Sequence, residues 1–520
     1  MENDNQILPI ANLRQLLNLI SPKKEPLIIK GKIFNYNIPI NNTNFQSIDR
    51  EFIFDSCVFN DRIDVVDDGM KNRYIFKDCT FSKRGTINLH NYSFEGKCRF
   101  LDNITLVIKE QGLYSFLEHE VKSLITVNGC ISEVYFNIGD LNSYDKNNKI
   151  NDEKSYGGFY FIGIFSEIIV AKSRLIQINF DPNCLIKNTI CLTDSHINEF
   201  YAPRLDTHAK CDIYLSYIGK CDIYKNTVTQ FRLIDIEESL IDYFKLMCDD
   251  PDVVKILKST INNIDFYGNI LSKNKIFILS STVKNISFNS ILNIGIISLN
   301  NVIMESGLFK IDNCNLGKID FINCNFSEIK MIFLNSKISE AFLSLSSFPK
   351  VVFNENGIDY LQTRLMHGQL ATASLKQGDN VSHLDFSSNE LYAHYKTLKW
   401  FSSKIFQKFN LWLNYISNDF GRNWVQSTGF SIAIGFIFFL LLLTSIENYK
   451  LRYLDFKLLP ALIKFLNPIR VYELDAIFNN TPIAGLKLNP RSYVIDFLGR
   501  IFLTYGYYQT IQAFRRFGRK

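Results

Sequence analysis

Residues 314–333 read Cys314-Asn-Leu316-Gly-Lys, Ile319-Asp-Phe321-Ile-Asn, Cys324-Asn-Phe326-Ser-Glu, Ile329-Lys-Met331-Ile-Phe. Each five-residue step holds a small or apolar residue, a polar one, then a large apolar one. Inward positions would therefore alternate two, then three, residues apart. A helix of 3.6 residues per turn cannot keep that alternation on one face. A coil of short straight sides can, with two inward residues per side. Stacked coils then pair their backbones and bury one continuous interior. The predicted core of this stretch is Cys314, Leu316, Ile319, Phe321, Cys324, Phe326, Ile329 and Met331.

Working outward, pairs of the same step recur upstream. They include Ser173-Arg-Leu175 with Ile178-Asn-Phe180, Ser216-Tyr-Ile218 with Cys221-Asp-Ile223, and Ser259-Thr-Ile261 with Ile264-Asp-Phe266. Ser281-Thr-Val283 with Ile286-Ser-Phe288 is another, and single copies stand at Cys57, Cys79, Cys98 and Ser195. Starts at 57 and 79, at 173, 195 and 216, and at 259 and 281 lie 21 or 22 residues apart. The first residue of a step is small because it fills a crowded corner, and the third is large because it fills the interior. This accounts for 44 Phe and for 11 Cys without CxxC pairs. Such thiols read as small buried apolar residues in a reducing compartment. The pattern decays between the pairs, and the stretches 140–156 and Cys248–Asp252 read as inserted loops.

These segments resemble the pentapeptide-repeat family. The resemblance implies a mainly β fold, a right-handed, four-sided parallel β-helix. A three-sided helix of about 22 residues per turn is the rival form. The expected layout is an N-terminal capping segment over 1–50, with Leu13–Ile20 as a short helix, then the β-helix over 51–355. Leucine and aromatic residues at helical spacing predict a linker over 356–422, with helices at 358–376 and 381–415 separated by Gln377-Gly-Asp-Asn380.

Residues 423–446 contain no charged side chain, and about 20 apolar residues suffice to cross a bilayer, so a transmembrane helix is expected over 425–446. A second is expected over 494–514. It contains Asp496 and Arg500 at an i,i+4 spacing that lets them neutralise each other, with Thr504 and Tyr507 nearby. Gly499, Gly506 and Ala513 form a small-residue stripe suited to close helix packing. Between the two, 456–469 holds Pro460 and Pro468 and reads as an interfacial or re-entrant helix. The segments Leu411–Asn418, Phe420–Trp424 and Tyr508–Phe517 resemble the C-terminal part of bacterial membrane-anchored pentapeptide-repeat proteins. Two spans around a short apolar helix also resemble simple ion channels.

Charge supports that division. Residues 396–520 hold 17 Lys/Arg against 6 Asp/Glu, a net of +11, whereas residues 1–395 hold 40 against 46, a net of −6. The basic residues flank apolar segments, so a membrane surface explains them and no nucleic acid is expected as a partner. The start Met-Glu-Asn-Asp-Asn lacks a basic-then-apolar leader, and the end Arg515-Arg-Phe-Gly-Arg-Lys520 favours a cytoplasmic side. The expected place is a bacterial inner membrane with the β-helix and the C-terminus in the cytoplasm.

No HExxH, phosphate-binding loop or dinucleotide fingerprint occurs, and His119-Glu120 lacks a second His. Asp249, Asp250 and Asp252 form the densest acidic cluster and read as a loop rather than a paired-carboxylate or Ca²⁺ site. We therefore expect no enzyme, metal or cofactor. The leading expectation is an oligomeric membrane channel or pore with the β-helix as sensor or gate, of a kind that suits a toxic or defence effector. Asp496, Arg500, Thr504 and Tyr507 are its candidate pore or gating residues. The alternative is a membrane-anchored scaffold presenting a β-helix face to a protein partner.

Overall fold

The computed structural model describes residues 252–447, 456–469, 474–479, 481 and 488–518, most of 27–40, 51–65, 73–137 and 158–247, and the pair 9–10. The expected helix Leu13–Ile20, the stretch 140–156, and Asp249 and Asp250 lie outside these residues. The chain divides into two compact units, 1–336 with 343–349, and 337–342 with 350–520.

The first unit is a parallel β-solenoid. Equivalent residues of successive coils sit side by side, as in Ile234↔Val254↔Ile276↔Ile297↔Ile319. A second column runs Ile264↔Ile286↔Phe309↔Met331. The coil length is thus close to the 21–22 residues read from the repeat starts. Parallel pairing already includes Pro9–Ile10, Leu27–Lys30 and Ile38–Ile40, so the strand stack reaches into the first 50 residues read as a cap.

All eight predicted core positions of 314–333 are buried, from Cys314 to Met331. The Phe excess is spent on stacked rings. Phe34, Phe59 and Phe81 follow one another at 4.9 and 5.1 Å between centroids, and Phe266 meets Phe288 at 5.1 Å. Such offset columns add about 0.5–1.5 kcal/mol per pair beyond their buried area.

The small residue has a second role that crowding does not explain. The backbone N–H of Ser173 donates to Ser195 Oγ, that of Ser195 to Ser216 Oγ, and so on through Ser239, Ser259 and Ser281, at 3.1–3.2 Å. Each of these hydroxyls donates to the carbonyl two residues earlier, as Ser239 does to Glu237 at 2.8 Å and Ser281 to Leu279 at 2.8 Å. The residue just before is left-handed at corner after corner: Asp194, Leu215, Glu238, Lys258 and Ser280 all have φ of 48–50°. The turn leaves the next N–H without a strand partner, and a buried amide must be satisfied. Ser supplies that acceptor in the smallest volume. Cys does the same more weakly, with Ile291 N–H on Cys314 Sγ at 3.4 Å. Where Asn takes the left-handed position, its cost is lowest, and its amide joins the next coil, as Asn323 does to Asn301 at 2.6 Å.

The second unit contains the described helices. α1 spans Tyr360–Lys376 and α2 spans Asn380–Thr397, capped by Asp359 and Asp379, whose carboxylates accept N–H bonds from the first turns. Gly378 at φ 76° makes the break between them. The helix expected over 381–415 is two helices, since α2 stops at Thr397 and α3 begins at Ile405 and runs to Asn418. Lys408 accounts for the interruption. Its ammonium donates to the Leu398 carbonyl at 2.5 Å and lies 4.9 Å from the Trp400 ring centre, which holds the chain in a turn. Tertiary contact thus overrides the helical spacing.

α4 spans Trp424–Thr444, α5 spans Leu459–Leu466 and α6 spans Pro490–Gly518. The expected 456–469 segment is a 3₁₀ turn plus the eight residues of α5, roughly 12 Å long and too short to span a bilayer. It packs on α4 through Phe465 against Phe439.

Candidate functional site: an inverted helix pair

α4 and α6 run antiparallel. Trp424 stacks near Phe514 at 4.7 Å, the Ser427 and Thr510 hydroxyls bond at 3.0 Å, and at the other end Ser445 and Ser492 bond at 2.7 Å. α6 buries Ser492, Asp496, Gly499, Leu503, Gly506, Gln509 and Ala513, each three or four residues from the last. This is the spacing that keeps one seam facing a partner helix.

The glycines permit the close approach. A Cβ on Gly506 would stand 2.5 Å from Ser431 Oγ, and one on Gly435 would stand 2.3 Å from Leu466 Cδ2. Gly499 faces Phe465 and Phe438. Of the predicted small-residue stripe, Gly499 and Gly506 thus lie against neighbouring helices, and Ala513 is buried.

The seam of this pair is polar in part and apolar in part. α4 buries Ser427, Ser431 and Gly435 and, beyond them, Phe439, Leu442 and Leu443, while it exposes Val425, Ile432, Phe436, Ile437 and Leu441. α6 buries Ser492, Asp496 and Gln509, and exposes Val494, Phe497, Ile501 and Ile511. The seam continues into α3. Asn414 Oδ1 accepts from Tyr505 Oη at 3.2 Å and from Gln509 Nε2 at 3.0 Å, while Asn418 donates to Gln509 Oε1.

Asp496 and Arg500 come together as expected, with Arg500 Nε donating to Asp496 Oδ2 at 3.0 Å. Asp496 is buried and Arg500 half-buried. Thr504 and Tyr507 are exposed and lie outside this contact, on the adjoining flank of α6. Asn414, Asn418, Tyr505 and Gln509 escaped the sequence reading. Their signal is an i,i+4 pair of polar residues on each of two helices, Asn414 with Asn418 and Tyr505 with Gln509. Among the described residues, α4 is the one helix both long and apolar enough to cross a membrane. α6 has the length, but its polar and charged residues, buried and exposed alike, lower its hydropathy.

The solenoid carries a second polar arrangement on its outside. Tyr217 donates to Asp242 at 2.5 Å, Tyr243 to Asp265 at 2.6 Å, and Asn285 to Asn263 at 2.7 Å. Burial and the neighbouring Asp265 carboxylate push the Tyr243 phenol above its ordinary range. Lys220 bridges Tyr201 and Asp222 at 3.2 Å each. Asp252 pairs with Lys273 at 3.1 Å. Among the described residues no group of three or more His, Cys, Asp or Glu could hold a metal ion. Burial raises the thiols of Cys98 and Cys184 to about 12, which makes them poor nucleophiles.

No family model, curated protein or solved structure matches the chain.

Proposed function

We propose that the chain is a non-enzymatic integral membrane protein in which α4 and α6 cross a bilayer and several copies assemble into a channel or pore. The observation that carries the reading is a helix pair with polar groups in part of its seam and large apolar side chains over its outer surface. In water, exposing this many large apolar side chains while burying Asp496, Gln509 and three serines is unfavourable. In hydrocarbon the preference reverses, because apolar groups meet lipid at no cost and polar groups need internal partners.

Two helices cannot enclose a water path, so a conducting form needs a homo-oligomer. Arg500, Thr504 and Tyr507 lie along one flank of α6, where a second copy or a pore would meet them. Ionisable residues at membrane depth usually face such a place. The β-solenoid is then the cytoplasmic sensor or gate, and a toxic or defence effector is the setting such a pore suits. We further propose the pentapeptide-repeat family and its right-handed, four-sided form, supported by buried positions recurring every five residues across 314–333. The inner membrane, with both the solenoid and the C-terminus in the cytoplasm, fits the basic end.

Planar-bilayer recording on the purified full chain tests the channel. Conductance that changes with Asp496→Asn or Arg500→Gln supports it. A monomer in detergent with no conductance at any voltage removes it.

A second reading has its own observation. The Tyr–Asp and Asn ladders along the solenoid satisfy one another, which makes a rigid surface ready for a protein partner, with the helices as an anchor only. Binding to full-length protein that is lost on Tyr243→Arg, with no conductance, would favour this scaffold.

A further inference from the structure

We infer that α3 and the turn before it dock in the plane of an anionic lipid surface; this rests on the membrane reading above and names the lipid class it engages. The segment Lys399-Trp-Phe-Ser-Ser-Lys-Ile-Phe-Gln-Lys-Phe-Asn-Leu-Trp412 interleaves lysines with large apolar residues. Phe401 is 99% exposed and Phe406 83%, far beyond what scattered surface residues need. Trp400, Ile405 and Phe409 are exposed beside them. These are not residues awaiting the helix bundle, because α3 already turns a different face inward. That face carries Leu411, which packs with Leu398 and Phe420, and Asn414 and Asn418, which bond α6.

Charge selects the occupant. No Asp or Glu occurs from 391 to 418, while Lys396, Lys399 and Lys404 are all exposed. Arg422 is already held by Asp419, and Lys408 by the Leu398 carbonyl. Lys396 lies over the Tyr392 and Tyr395 rings, and the exposed Lys399 and Lys404 stand among the exposed aromatic residues. Basic, aromatic-rich amphipathic helices lie in the headgroup region of anionic membranes. Continuity gives the same answer. α3 ends at Asn418, and the apolar α4 begins at Trp424 after a turn built on the left-handed residues Asp419, Phe420 and Gly421. A helix so close to a span's entry is within reach of the interface.

The test uses the full chain with its three tryptophans replaced by phenylalanine. Phe406→Trp then reports α3 and Phe436→Trp reports the exposed apolar face of α4. Each protein is reconstituted into phosphatidylcholine vesicles, with or without phosphatidylglycerol, containing lipids brominated at shallow or deep acyl positions. Shallow bromine is expected to quench the Phe406→Trp variant, more strongly with phosphatidylglycerol, and deep bromine to quench the Phe436→Trp variant. Lys399→Glu with Lys404→Glu should lower the shallow quenching about twofold or more in the anionic vesicles. A Phe406→Trp signal quenched by aqueous iodide and untouched by bromine overturns the inference while the Phe436→Trp signal preserves the membrane reading. A signal insensitive to both quenchers places protein, such as a second copy, on α3 and also overturns it. Loss of bromine quenching in both variants overturns the membrane reading itself.

Discussion

The solenoid and the α4–α6 pair solve the burial problem differently. The solenoid puts Phe, Ile and Leu inside and Tyr, Asn, Asp and Lys outside. The helix pair buries Phe439, Leu442, Leu443 and Leu503 but also Ser, Gly, Asp496 and Gln509, and it leaves many Phe, Ile and Val side chains outside. Both hydrogen-bond most of the polar groups they bury. The solenoid does so with one serine per coil from Ser173 to Ser281, and the pair does so with hydroxyls and amides across the seam. The contrast teaches that the solvent each region faces, rather than its average hydropathy, determines which residues turn inward.

Four substitutions break or sharpen that contrast. The largest effect belongs to the solenoid interior, where Phe321→Ala should cost about 3–5 kcal/mol by transfer loss and a residual cavity. Chemical denaturation followed by circular dichroism measures it, and a loss under about 1 kcal/mol would show that the interior relaxes rather than packs.

In the helix pair, enlargement rather than truncation should do the damage. Gly506→Leu drives a side chain into Ser431, whose Oγ lies 2.5 Å from the new Cβ. We expect about 1–3 kcal/mol or more, read as a lower thermal midpoint in detergent. An unchanged midpoint would mean the two helices are not in close contact.

Third, Ser239→Ala leaves the Ser216 N–H without its acceptor and should cost about 1–3 kcal/mol, although it removes a single oxygen. Ser239→Cys should restore part of that loss. Equal stability of Ala and Cys variants would reduce the corner serine to a spacer.

The smallest effect is in neither core. Glu390 lies against Gly368 between α1 and α2, and its carboxyl is raised above the usual value of 4.5, chiefly by burial, with Arg364 and His383 opposing. A folded-state pKa above the unfolded one means its stabilising share is complete below about pH 4.5 and is lost as pH rises through the folded value. Glu390→Gln should therefore raise the melting temperature at pH 7 and converge with the parent chain in acid. A lower melting temperature at pH 7 would show that Arg364 and His383 dominate.

Much of the solenoid was legible from residue order. Cys314 to Met331 identified themselves by a two-then-three alternation, because inward direction in a short-sided coil depends on local position alone. The serine ladder was not legible as hydrogen bonding, since Ser195 and Ser216 meet only when coils stack. The break at 398–404 was hidden because Lys408 reaches back to Leu398 through space, leaving the helical spacing of apolar residues intact. Asp496 with Arg500 could be paired from an i,i+4 interval. Asn414 and Gln509 could not, being 95 residues apart and joined only by the packing of α3 on α6.

Sequence by itself thus determined the coil period, the residues that point into the solenoid, the apolar span at 424–444 and the basic C-terminal end. Each follows from the spacing or composition of neighbouring residues. Tertiary structure alone decided that Gly499 and Gly506 of α6 face α4, that Asp496 and Gln509 are inside while Val494, Phe497 and Ile501 are outside, and that Phe401 and Phe406 remain uncovered. Those outcomes depend on which helix faces occupy each other, a matter of contact between distant segments that no local pattern encodes.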